Sequence, residues 1–166
     1  MATKEDYAKQ PFEKRLERMS RTPDELATAI RGRSDAELSR RPDPKNWAAK
    51  EVICHLRDVE EVYFGRARSI VINDVEVKIY ADPSAVERWP TNRQYLRWDA
   101  TEAVASFREL REGFLAFLRG LTPGDRQRGC IHPTRGRLTI DDFVTMFAWH
   151  DDNHLEQLSR ALEGRA

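Results

Sequence analysis

Apolar residues recur every three to four positions along four long stretches of the chain, the period of helices that each turn one face inward. Across residues 12–31 the recurring positions are Leu16, Met19, Leu26 and Ile30. Pro23 sits among them and predicts a break or restart, with Thr22 placed to cap the second part. A second helix is predicted from about Asn46 to Val71 on the stripe Ala48, Val52, Leu56, Val59, Tyr63 and Ile70. A third follows the capping pair Asp99 and Glu102, carries Val104, Phe107, Leu110 or Arg111, Phe114, Phe117 and Leu118 inward, and ends at Gly120. The last begins near Thr139 with Ile140, Phe143, Val144 and Phe147, and runs to about Leu162, with Gly164 marking its end.

Between these stretches the breakers decide. Ser34 and Glu37 make a capping box for a short helix at 34–38, and the two prolines of RRPDPKNW turn the chain after it. Residues 73–98 read as an irregular excursion with a short helix around Ala85–Trp89. VEVKIYA inside it alternates like a strand but has no partner strand in view. Residues 122–137, rich in glycine and proline, read as a loop. Four long helices without a convincing sheet predict an all-α four-helix bundle, one domain over residues 1–166.

Charge and cysteine usage narrow the function classes. Lys+Arg and Asp+Glu both number 28, so the basic excess that nucleic-acid binders use against phosphate is missing. Zero net charge also weakens self-repulsion and makes self-association easy. Cys54 and Cys130 are too few for a disulfide framework and read as reduced thiols. The opening MATKEDYAKQPFEKRLERM has no apolar signal core, and no apolar run approaches a membrane span of about 20 residues. The expectation is a cytoplasmic protein with no membrane or nucleic-acid partner.

The candidate chemistry lies where the apolar stripe is interrupted. In WHDDNHLEQL, His150 and His154 are four apart, and on an ideal helix both fall within about 80° of Phe143, Phe147 and Leu158. His55 interrupts the second helix in the same way, within about 60° of Val52 and Val59. Three of the four histidines thus point inward from two helices. A neutral imidazole offers one donor and one acceptor, so three at one level do not readily satisfy one another. A shared divalent ion would, with an open position left for water or substrate; separately satisfied core histidines are the other reading.

These residues resemble a known family. NWAAKEVICHLRDVEEVYFGR (46–66) is similar to the opening block of DinB/YfiT-like metal-binding bundles, a tryptophan before a helix with His followed by Leu-x-Asp-x-Glu. HPTRGRLTIDDFVTMFAWHDDNHLEQLSRAL (132–162) is similar to their closing block, with a loop glycine, a threonine cap and His-x3-His-x2-Gln. The resemblance implies an up-down-down-up bundle with a long crossover, often a homodimer. It implies His55, His150 and His154 as ligands of nickel, zinc, iron or manganese. It further implies a small-molecule substrate and either hydrolysis or S-transfer with a low-molecular-weight thiol such as mycothiol or bacillithiol. The alternative is a non-catalytic metal-binding or stress-related bundle acting as a dimer.

Other residues keep two readings each. Asp58, three after His55, is a candidate imidazole partner or catalytic base, or a plain surface carboxylate. Gln157 is a candidate to hold a ligand or water, or a surface amide. Asp151 reads as solvated or salt-bridged, and His132 as a loop histidine without metal contact. Cys54 reads as a small buried side chain, Cys130 as a loop thiol, and the four tryptophans as packing. Arg66, Arg68, Arg135 and Arg137 are candidates to attract an anionic substrate, or are solubilising surface charges.

Overall fold

The computed structural model describes residues 2–73, 76–78 and 85–166. Four long helices carry it: α2 (Phe12–Ile30), α4 (Ala49–Ile72), α6 (Ala100–Arg119) and α8 (Ile140–Leu162). Short helices α1 (Lys4–Ala8), α3 (Asp35–Ser39), α5 (Ala85–Asn92) and α7 (Pro123–Arg126) sit in the connections, with a 3-10 turn at Tyr95–Arg97. The strands are β1 (Val77–Lys78), β2 (Gly129–His132) and β3 (Gly136–Thr139).

Side-chain pairs give the direction of each helix. Glu60 meets Arg111 and Phe64 meets Phe114, while Arg57 meets Ser106 further towards both N-termini, so α4 and α6 run parallel. Arg15 pairs with Asp141 and Thr22 with Asp151, so α2 and α8 are parallel as well. Tyr63 packs on Phe143 whereas His55 packs on His150, so α4 and α8 are antiparallel. The result is the up-down-down-up bundle, its two parallel helices α4 and α6 joined by the long crossover.

Pro23 does not break α2, and Thr22 caps nothing. The proline removes the N–H that would bond the Met19 carbonyl, and Arg111 Nη1 donates to that carbonyl at 2.8 Å instead. Thr22 is buried and donates its hydroxyl to Asp151 at 2.6 Å. α4 starts at Ala49 rather than Asn46, because Asp43 accepts from the Asn46 amide and Glu51 accepts from the Ala48 N–H to close the cap. α5 extends past Trp89, through Pro90, to Asn92.

The 122–137 segment is more than a loop. Thr122 and Asp125 form a capping box for α7, and β2 and β3 make an antiparallel hairpin in the register Gly129↔Thr139 to His132↔Gly136. Gly136 takes φ +70 at the turn, a left-handed conformation that glycine adopts without strain. The strand expected without a partner has one: Val77 and Lys78 pair in parallel with Cys130 and Ile131. The rest of VEVKIYA, apart from Glu76, lies outside the described residues. β2 and β3, four residues each, leave too little alternation for the pattern to show.

Two apolar clusters fill the bundle, one around Met19, Phe114, Phe143 and Phe147, the other around Leu26, Phe107 and Leu158. A polar layer divides them on three helices: Thr22 between Met19 and Leu26, Arg111 between Phe107 and Phe114, and residues 150–154 between Phe147 and Leu158. The candidate site lies in that layer.

Candidate metal centre

Antiparallel packing of α4 on α8 brings His55 opposite the His150–His154 pair. One ring nitrogen from each of the three lies within 4.8 Å of the other two. The Nε2 atoms of His55 and His150 are 3.4 Å apart, and the rings of His150 and His154 have centroids 4.3 Å apart. Trp47, just before α4, packs on both His55 (5.0 Å) and His154 (6.3 Å, parallel rings).

Burial keeps all three rings neutral. Desolvation pushes His55 down to about 3, with His154 adding to the effect. His150 is driven well below the ordinary imidazole value, first by burial and then by its two neighbours. His154 is lowered by burial too, offset in part by its hydrogen bond to Gln157. Neutral imidazole is the form that binds metal.

These residues fit a divalent ion. Two nitrogens each about 2.0–2.1 Å from one tetrahedral centre lie about 3.4 Å from one another, the separation of the two Nε2 atoms. Gln157 Oε1 accepts from His154 Nδ1 at 2.7 Å, which leaves Nε2 of that ring for the ion. Nδ1 of His55 and of His150, the ring nitrogens outside the 3.4 Å contact, are buried without a hydrogen-bond partner.

A cavity of about 420 Å³ opens beside His55 and His150. Val59, Tyr63, Met146 and Phe147 form its bundle side, α5 contributes Val86 and Trp89, and the hairpin contributes His132, Thr134 and Arg135. His154 is not among its lining residues. The cavity gives the cluster an accessible side at His55 and His150, and Trp47 packs on the side of His154.

The DinB superfamily model matches residues 18–158. The chain belongs to the DinB superfamily. Among its superfamily relatives is "Putative metal-dependent hydrolase YfiT" of Bacillus subtilis, 22% identical over 157 residues that cover 94% of this chain and 86% of YfiT. "Uncharacterized protein YuaE" of the same organism is 24% identical over 144 residues, covering 81% of this chain and 88% of YuaE. The solved YfiT structure, described as a probable metal-dependent hydrolase with an unusual four-helix bundle topology, superposes with a TM-score of 0.81 at 21% identity, over 100% of this chain and 92% of that one. A mycothiol-dependent maleylpyruvate isomerase shares the fold at a TM-score of 0.64 and 15% identity, over 95% of this chain and 63% of that one.

Within this DinB superfamily chain, Asp58 does not join the histidines. It is fully buried, and its oxygens take the Tyr95 hydroxyl at 2.6 Å, Arg57 at 2.8 Å and Arg93. It is neither an imidazole partner nor a surface carboxylate; it ties α4 to the segment before α6. The i+3 spacing that suggested it turns Asp58 towards that segment instead of α8. Asp151 is salt-bridged, in the buried group with Arg111 and Glu60. His132 lies in β2 on the cavity wall, outside the three-histidine group. Cys130 is buried in β2 rather than in a loop. Cys54 is buried, and desolvation pushes its thiol up to about 12.

The four arginines divide. Arg66 and Arg135 line the cavity, whereas Arg68 stacks over Phe64 and Arg137 pairs with Glu76. Trp47 and Trp89, read as packing, stand at the histidines and at the cavity. For Trp47 the available signal was its place immediately before the His55 helix. Among the described residues no helix is long and apolar enough to cross a membrane.

Proposed function

We propose that this protein is a metal-dependent enzyme that holds a divalent ion on His55, His150 and His154 and admits a small-molecule substrate through the adjoining cavity. The reading is carried by the 3.4 Å approach of two neutral imidazole nitrogens on a cavity wall. An ion held by these three histidines would supply Lewis acidity, able to acidify a water or thiol and to polarise a substrate group. Burial keeps the three rings neutral and ready to bind. Gln157 sets the His154 tautomer, Trp47 stacks on that ring, and Val59, Tyr63 and Phe147 make the approach apolar. Hydrolysis is favoured by the name of the YfiT relative, and transfer involving a low-molecular-weight thiol by the fold shared with a mycothiol-dependent enzyme. Three imidazoles accept nickel, zinc, iron or manganese.

Elemental analysis of protein purified without a metal-affinity column tests the site. The expected result is about one divalent ion per chain, as one three-histidine set provides, and near none in His150→Ala. Metal-loaded protein is then assayed on ester and amide panels and on electrophiles with added thiol. A loaded site without turnover in any assay overturns the enzyme reading and favours the non-catalytic bundle.

A further inference from the structure

The cavity wall carries two arginines besides its histidines. Arg66 lies eleven positions after His55 on α4, about 16 Å along a helix axis. Helix side chains lean towards the N-terminus, and Arg66 does so: its guanidinium sits 4.7 Å from the centre of the Tyr63 ring, one turn back towards His55. Arg135 reaches the same wall from the hairpin, its Nη1 2.9 Å from the Met146 sulfur. Among the described residues neither arginine is paired with a carboxylate, and the acidic residue of the lining is the exposed Glu87.

His132 stands with them. The Thr134 N–H donates to its Nδ1 at 3.3 Å, which places the ring proton on Nε2 as a further donor. Both guanidiniums act on this ring: burial first, then the charges of Arg135 and Arg66, lower its basicity. Two cations from separate elements, the half-buried Arg66 and the exposed Arg135, thus act on one buried ring of the cavity wall. The same lining is otherwise rich in apolar and aromatic groups, with Val59, Val86, Trp89 and Phe147.

We propose that the cavity selects substrates carrying a carboxylate on an apolar acyl or aryl body, with the carboxylate between Arg66 and Arg135 and the body along the apolar wall towards His55 and His150. A carboxylate matches the planar guanidinium fork, and a cavity of about 420 Å³ lies in the range that encloses small organic ligands. This deepens the enzyme reading and rests on it for the identity of the reacting end. The binding claim is separable from it.

Calorimetric titration of metal-free protein with hexanoate, hexanamide and hexyl phosphate tests the proposal, repeated on Arg66→Gln, Arg135→Gln and His150→Ala. The expected result is hexanoate binding that weakens about tenfold in each arginine variant, the loss of one charge-assisted contact. Hexanamide should bind more weakly and respond to neither substitution. Equal affinity for hexanoate and hexanamide, or hexanoate binding unchanged in both arginine variants, overturns the proposal. Tighter binding of hexyl phosphate overturns the carboxylate assignment. Zinc uptake, measured on the same samples, should survive in the arginine variants and vanish in His150→Ala. A failure of zinc uptake in the unsubstituted protein therefore falls on the metal reading, and a failure of the hexanoate series on this one.

Discussion

Arg111 Nη1 donates to the backbone carbonyl of Met19 at 2.8 Å, and that carbonyl is the acceptor Pro23 leaves without a helical donor. The remaining guanidinium N–H groups go to Glu60 (2.7 and 2.9 Å) and Asp151 (2.5 and 3.2 Å), so all five donors of a fully buried arginine are used. One side chain on α6 thereby touches α2, α4 and α8, and its Asp151 partner adjoins His150 in sequence.

Removing it strands two buried carboxylates and a carbonyl. Arg111→Met should lower stability by about 3–5 kcal/mol, the usual result of breaking one side of a buried ionic group. Pro23→Ala in that background returns an N–H to Met19 and should recover about 1 kcal/mol. Urea denaturation of the two single variants and the double variant measures the coupling. Additive effects would show that the two residues do not share the Met19 carbonyl.

Metal-free protein should lose stability in acid. The unfolded imidazole titrates near 6.5 and folded His55 near 3, so the unfolded chain binds more protons between those values. Stability is therefore full above about pH 6.5 and falls as pH drops, by at most about 1.4 kcal/mol per pH unit for each such ring. His150 and His154 are shifted in the same direction and steepen the fall. Thermal melts from pH 8 to pH 4 check this, and His55→Gln should flatten the curve.

Gln157 should matter to metal affinity more than to folding. Gln157→Leu removes the acceptor at His154 Nδ1 and frees the ring to take the other tautomer. Zinc affinity, read by competition with a chromophoric chelator, should drop about 10–100-fold, while the melting point of metal-free protein stays nearly unchanged. Equal affinity in the two proteins would deny Gln157 a part in presenting the ring.

Gly129 permits the close approach of β2 and β3. A Cβ there would sit 2.4 Å from the Leu138 carbonyl oxygen, backbone that has no room to yield. Gly129→Ala should cost about 1–3 kcal/mol through overpacking. It should also displace the hairpin that carries His132 and Arg135, so hexanoate binding should weaken while zinc uptake by the bundle is retained.

The apolar stripes predicted the four long helices, and the three histidines were readable as interruptions of those stripes. Helix periodicity is local and survives in every turn. The polar layer was less visible because its logic is pairwise: Arg111 occupies a stripe position that only Glu60 and Asp151, on other helices, make tolerable. Pro23 predicted a break for the same reason, since its remedy lies on α6. Asp58 carried the right spacing from His55 but finds Arg93 and Tyr95 in the crossover, a long-range pairing that no periodicity announces. The hairpin strands β2 and β3 were too short to signal, VEVKIYA alternated but its partner was hidden with them, and the cavity exists only once hairpin, α5 and bundle are assembled.

The parallel pairing of Val77 with Cys130 and Lys78 with Ile131 yokes two stretches of chain more than fifty residues apart. One leads into α5, with Val86 and Trp89; the other carries His132 and leads to Arg135. A change of loop length in either stretch is transmitted to the other through their shared ladder. Ligand preference in descendants of this chain can thus be retuned from outside the helices, with the imidazole cluster left untouched.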